Sequence, residues 1–148
     1  MMTLIDYCRD HDVDSILDLP DVAERVELYF AQEKLFTDQV KRLAEVHGDV
    51  VVLDLREEEV IHAGNRFMIY ALYPQARVSM HVLWGLKQQN TVFAVGKSII
   101  DRTSPVAVGP LMLEYGGGGH LAAGTCQIPN EDAAAVRAEL IRRLATPR

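Results

Sequence analysis

The chain has 148 residues, 49% of them hydrophobic and 24% charged, which is enough for one ordinary domain with its own core. Its formal net charge of −6 excludes the broad basic footprint of a protein that coats nucleic acid, so a polyanion must be met at a local positive site. No apolar run is long enough for a membrane span, and the acid-bearing start MMTLIDYCRDHD has no secretory h-region, so the cytoplasm is the expected location. Cys8 and Cys126 are too few for a disulfide framework or a zinc site.

In chain order, MTLIDYCRD reads as a short helix and PDVAERVELYFAQEKLFTDQVKRLAEVHG as a long one. Asp21 with Glu24 resembles a capping box, and Gly48 is the expected stop. DVVVLDL reads as a strand, with EVIHAG as its expected partner. NRFMIYALYP reads as a helix capped by Asn65 and closed before Pro74. RVSMHVLW alternates, with Val78, Met80, Val82 and Trp84 on one face; GLKQQN turns the chain and TVFAVGKSII returns, which predicts a hairpin. TSPVAVGPLMLEY reads as a helix capped by Ser104, with Pro110 awkwardly placed inside it. GTCQI is a short strand, and NEDAAAVRAELIRRLA is a helix capped by Asn130 with a Val136, Leu140, Leu144 stripe. The fold class is α/β: a mixed sheet with flanking helices, preceded by a helical segment over 1–47, the domain proper occupying 48–148.

YGGGGHLAAG, at 115–124, needs its own explanation. Gly116 is accounted for as a left-handed helix stop. Gly117, Gly118 and Gly119 exceed that need, and glycine gives up more backbone entropy on folding than any other residue. Bare amides in series can form a nest for an anion; a helical turn opened by HLAAG would add to the attraction, with His120 at the rim. The stretch is not a P-loop, because no Lys-Ser/Thr pair follows, and it is not a dinucleotide fingerprint. The competing reading is a plain glycine turn.

With its preceding VAVGPLMLEY helix, this stretch resembles the signature of the DHHA1 domain. That domain is the C-terminal, substrate-binding part of the DHH-family phosphoesterases: RecJ-like exonucleases, nanoRNases that also dephosphorylate pAp, and exopolyphosphatase-related proteins. The resemblance runs over about residues 48–146, and AVGKSIIDRT and GTCQI are most similar to the exopolyphosphatase-related branch. It implies a phosphate grip made by Gly117, Gly118, Gly119 and His120, acting across a cleft from an N-terminal DHH domain that holds two manganese ions and activates water. Relatives place an arginine late in the first alternating strand. Here His81 stands there, and Arg102 is the expected substitute. The implied ligand is a short oligonucleotide, a phosphorylated nucleotide or polyphosphate; the implied partner is the DHH domain, with a homodimer allowed for.

RDHDVD at 9–14 imitates a metal site, since Asp10, His11, Asp12 and Asp14 are suitable donors for manganese. A two-metal hydrolase needs carboxylates converging from several strand ends, and this cluster lies in a link between helices. It is read as a turn, with no metal, cofactor or catalytic residue expected in this chain. Lys97 is balanced between pocket and exposed face, Arg66 is expected at the surface or in a cap, and Trp84 and Tyr70 are expected in the core. The reading that results is the substrate-binding portion of a manganese-dependent phosphoesterase, inactive alone. A stand-alone nucleotide-binding or regulatory module is the alternative; an interaction protein built on the long helix is the third.

Overall fold

The computed structural model describes residues 2–145. Helices α1 (Met2–Asp10), α2 (Val13–Leu17) and α3 (Pro20–Leu43) lead into β1 (Ala44–His47) and β2 (Val50–Asp54). There follow α4 (Met68–Leu72), β3 (Val78–Trp84), β4 (Thr91–Lys97), α5 (Val108–Glu114), β5 (Gly118–His120), β6 (Ala123–Ile128) and α6 (Ala133–Leu144). The six strands form one mixed sheet in the order β1-β2-β3-β4-β6-β5. β2 and β3 are parallel, joined by the crossover through α4, and every other pair is antiparallel. The α/β class and the β3–β4 hairpin are as expected.

The core lies on both faces. On one, Val50, Val52, Met80, Val82, Phe93 and Val95 are packed under α5 and α6, with Leu140 and Leu144 fully buried. On the other, Val51 and Leu53 pack against Val40, Ile69 and Tyr70 from α3 and α4. This explains why β2 is apolar at consecutive positions: a strand covered on both sides loses the alternation of a half-exposed one.

Several boundaries differ from the sequence reading. α3 stops at Leu43, and Ala44–His47 turns into the strand that pairs with β2, so the sheet begins at residue 44. Gly48, with φ +65°, makes the tight turn of that hairpin instead of ending a helix. The capping box does not form: Leu19 is the N-cap without a side-chain bond, and Pro20 opens the helix. EVIHAG is not a strand, because α3 already supplies partners for its backbone. Gln39, buried on α3, donates to Glu58 Oε2 (2.7 Å) and the Val60 carbonyl (2.8 Å) and accepts from His62 N–H. Gln32 accepts from Ala63 N–H. Buried backbone groups must be paired, and side chains can do it as well as a ladder.

α5 starts at Val108, not at Ser104. Pro110 therefore occupies the third helical position, where no intrahelical N–H bond is lost. Asn130 does not cap α6: its side chain accepts from Thr91 Oγ1 (3.0 Å) and donates to the Gln88 carbonyl (2.8 Å), tying the β6–α6 link to the β3–β4 turn. RDHDVD ends α1 at Asp10 and opens α2 at Val13, with His11 and Asp12 as the link between, Asp12 accepting from Ser15 N–H at 2.8 Å to cap α2.

Candidate functional site

Strand register assigns each residue to a face. Met80 lies opposite Val95 and Phe93 opposite Cys126, all on the face under α5 and α6. The opposite face therefore carries His81 and Ala94, then Gly96, Ala123 and Thr125, then Gly118 and His120. Helix α4 covers this face over β2 and β3. Over β4, β6 and β5 the floor is small residues, and a cavity of about 230 Å³ opens there, with Gly118, Gly119, His120 and Arg66 on its walls.

The four glycines have four different reasons. Gly116, at φ +75°, closes α5: its N–H donates to Leu113 O and that of Gly117 to Met112 O, a Schellman ending. Gly117 then runs so close to β6 that a Cβ would sit on the Thr125 carbonyl oxygen and crowd Cys126. Gly119, at φ +150°, would press a Cβ into the Ala123 carbonyl. Gly118 is different: a Cβ there meets nothing within 4 Å, and its φ is ordinary. Packing explains Gly117 and Gly119 and backbone conformation explains Gly116, while Gly118 keeps space open at the cavity.

This corrects the expected nest. HLAAG opens no helical turn; Gly118–His120 is an edge strand paired with β6, and Leu121–Ala122 is the hairpin tip. The Gly117 amide is engaged in ending α5. His120 is exposed on the cavity wall, as a ligand-facing residue requires. Arg102 is elsewhere: it donates to the Ile99 carbonyl at 3.1 Å and lines a second cavity with Lys97, Ser98 and Ala122. Lys97 Nζ bonds to the Val106 carbonyl.

Sequence reasoning missed Arg66. It precedes α4, and its guanidinium lies across the sheet, Nη2 falling 3.2 Å from where a Cβ at Gly96 would be. Beneath it stands His81, with its Nε2 buried and without a partner, the imidazole pKa pushed down to about 4 by burial and then by the nearby Arg66 charge. α4 is pinned over the sheet by Tyr70, whose hydroxyl donates to the Gly96 carbonyl (2.7 Å) and shares a hydrogen bond with Ser79 (2.8 Å). The available signal was GNRF before a helix that had to cross the sheet, but only the packing of α4 aims the arginine at the glycines.

The manganese donors do not assemble. Asp12 is committed to its cap, and the His11 ring stacks on Tyr7 at 4.3 Å. Among the described residues no three His, Cys, Asp or Glu side chains gather as ligands. Asp54 is paired with Arg56, bonds of 2.9 and 2.7 Å reaching its two oxygens. No described helix is long and apolar enough to cross a membrane.

The half-covered mixed sheet, with a glycine–histidine edge hairpin facing open space, is consistent with a DHHA1-like domain of the DHH-family phosphoesterases. Among solved structures it is similar to the pGpG-specific phosphodiesterase PggH from Vibrio cholerae. The two share 58% identity with a TM-score of 0.85 over 97% of this chain. An exopolyphosphatase-related protein from Bacteroides fragilis, 16% identical, matches 88% of the chain with a TM-score of 0.57 and shares the fold. The chain spans 49% of the first of these and 38% of the second. No protein-family model matches the chain, and no curated protein does. The chain is thus phosphoesterase-related.

Proposed function

We propose that this chain is the substrate-binding portion of a DHH-type manganese-dependent phosphodiesterase, and that its ligand is a short linear oligonucleotide of the pGpG kind. The observation that carries the reading is the uncovered half of the sheet, where Gly118 leaves room and His120 and Arg66 face the same cavity. The substrate class is supported by the 58% identity to PggH, which acts on pGpG. A local pair of donors also suits a chain whose overall charge repels polyanions. Metal-activated water would come from a companion DHH domain, because the donor residues present here do not fit the ions; the role left to this chain is to bind and orient.

Titration of the 148-residue chain with pGpG, followed by calorimetry, tests this. Weak but saturable binding is expected, with His120→Ala about tenfold weaker, the effect of losing one hydrogen bond to a charged group. Unchanged affinity in His120→Ala would defeat the assignment.

A further inference from the structure

We propose that Arg66 binds a phosphate group of the ligand in this cavity, an inference that rests on the function proposed above. Its charge state in the fold is the first argument. Arg42, Arg56, Arg77, Arg137, Arg142 and Arg143 each bond to a carboxylate. Arg66 pairs with no carboxylate among the described residues; Arg9, Arg25 and Arg102 share that condition, but of these four Arg66 is the one on the wall of this cavity. A guanidinium on a cavity wall with no carboxylate beside it leaves its charge available to an anion that enters the cavity.

Placement is the second argument. The guanidinium is laid over Gly96, its Nη2 3.2 Å from where a Cβ would stand, and the Phe67 ring is 5.9 Å from it. The segment that carries it is fastened twice: Asn65 Oδ1 accepts from Phe67 N–H, and Tyr70 pins α4 to β3 and β4. The small floor residues Ala94, Ala123 and Thr125 add no counter-charge. His81 and the Tyr70 hydroxyl, the titratable groups that feel the Arg66 charge, are both neutral at neutral pH, so neither repels Arg66 nor neutralises it.

Chemistry is the third. A guanidinium is planar, permanently charged and weakly hydrated, and its fork matches two phosphate oxygens at once. With His120 on the facing wall, a phosphate in the cavity receives donors from two directions, one from β5 and one from the start of α4. Neither element could hold it alone.

The test is nitrogen-detected NMR of the chain titrated with pGpG, with guanosine as the phosphate-free control. The Arg66 Nε–Hε signal is expected to move with pGpG and to stay in place with guanosine. Arg66→Ala is expected to weaken pGpG at least about tenfold, with amide spectra showing an unchanged fold. Arg66→Lys, which keeps the charge without the fork, is expected to recover only part of the loss. If Arg66→Ala binds pGpG like the wild type while His120→Ala is weakened, Arg66 has no such role and the cavity reading stands. If the wild type shows no response to pGpG at millimolar concentration, the cavity reading falls and this inference with it.

Discussion

One face of the sheet is furnished in two ways. Over β2 and β3 it carries Val51 and Leu53 and is roofed by α4, with Ile69 and Tyr70 buried between. Over β4, β6 and β5 it carries Ala94, Gly96, Ala123, Thr125 and Gly118, and a cavity stands where the roof would be. The contrast follows from area. Uncovering large apolar side chains costs about 25 cal/mol per Å², so the first half needs a helix, whereas alanine and glycine expose little and can be left open. An open cavity exists here because the strands give up side chains on one half of one face.

The comparison breaks most sharply at the glycines. Gly119→Val demands a positive φ from a β-branched residue and drives a Cβ into the Ala123 carbonyl, so a loss of about 3 kcal/mol or more is expected in urea unfolding. Gly118→Ala, one residue earlier, is expected to change stability by less than about 1 kcal/mol, because its Cβ meets open space. Equal damage from both would erase the distinction between packing glycine and binding glycine.

Next in size is the seam between the two halves. Tyr70→Phe leaves the buried Ser79 hydroxyl without its partner and removes a bond to the Gly96 carbonyl, and about 1–3 kcal/mol is expected. If α4 holds Arg66 over the open half, this variant also weakens pGpG binding although it touches no cavity wall. Loss of stability with pGpG affinity intact would separate the seam from the site.

The last comparison is on acidification. The folded His81 pKa, pushed from 6.5 to about 4, lies below the unfolded value, so the unfolded chain takes up the proton first as pH falls. Its contribution is complete above pH 6.5 and is lost between there and pH 4. His81→Gln is expected to flatten the urea midpoint in that window. Glu58, pulled down to about 2 by Arg42 and then Gln39, acts in the lower window between 4.5 and 2, and its slope is expected to remain in the His81 variant. A slope above pH 4 unaltered by His81→Gln would show that another group titrates there.

Much of the fold could be read from local pattern. The alternation of β3, the stripe of α6 and the link at RDHDVD all declare themselves over a few residues, because period and capping are local properties. Errors gathered where a distant partner outbids the local signal. Asn130 looks like a cap and is taken by Thr91 and Gln88; EVIHAG looks like a strand and is taken by Gln32 and Gln39. The YGGGGH stretch was conspicuous, and its family resemblance with it, yet the sequence offered no means of sorting one glycine from the next.

From the chain alone came the α/β class, the phosphoesterase resemblance and the conspicuous glycine run beside His120, since hydrophobic period and an unusual glycine run survive without coordinates. Only the folded sheet decided that Gly118 is the open glycine, that Arg102 serves another cavity, and that Arg66 reaches the floor. Those facts depend on which strand faces which helix, a matter of long-range packing that no spacing along the chain encodes.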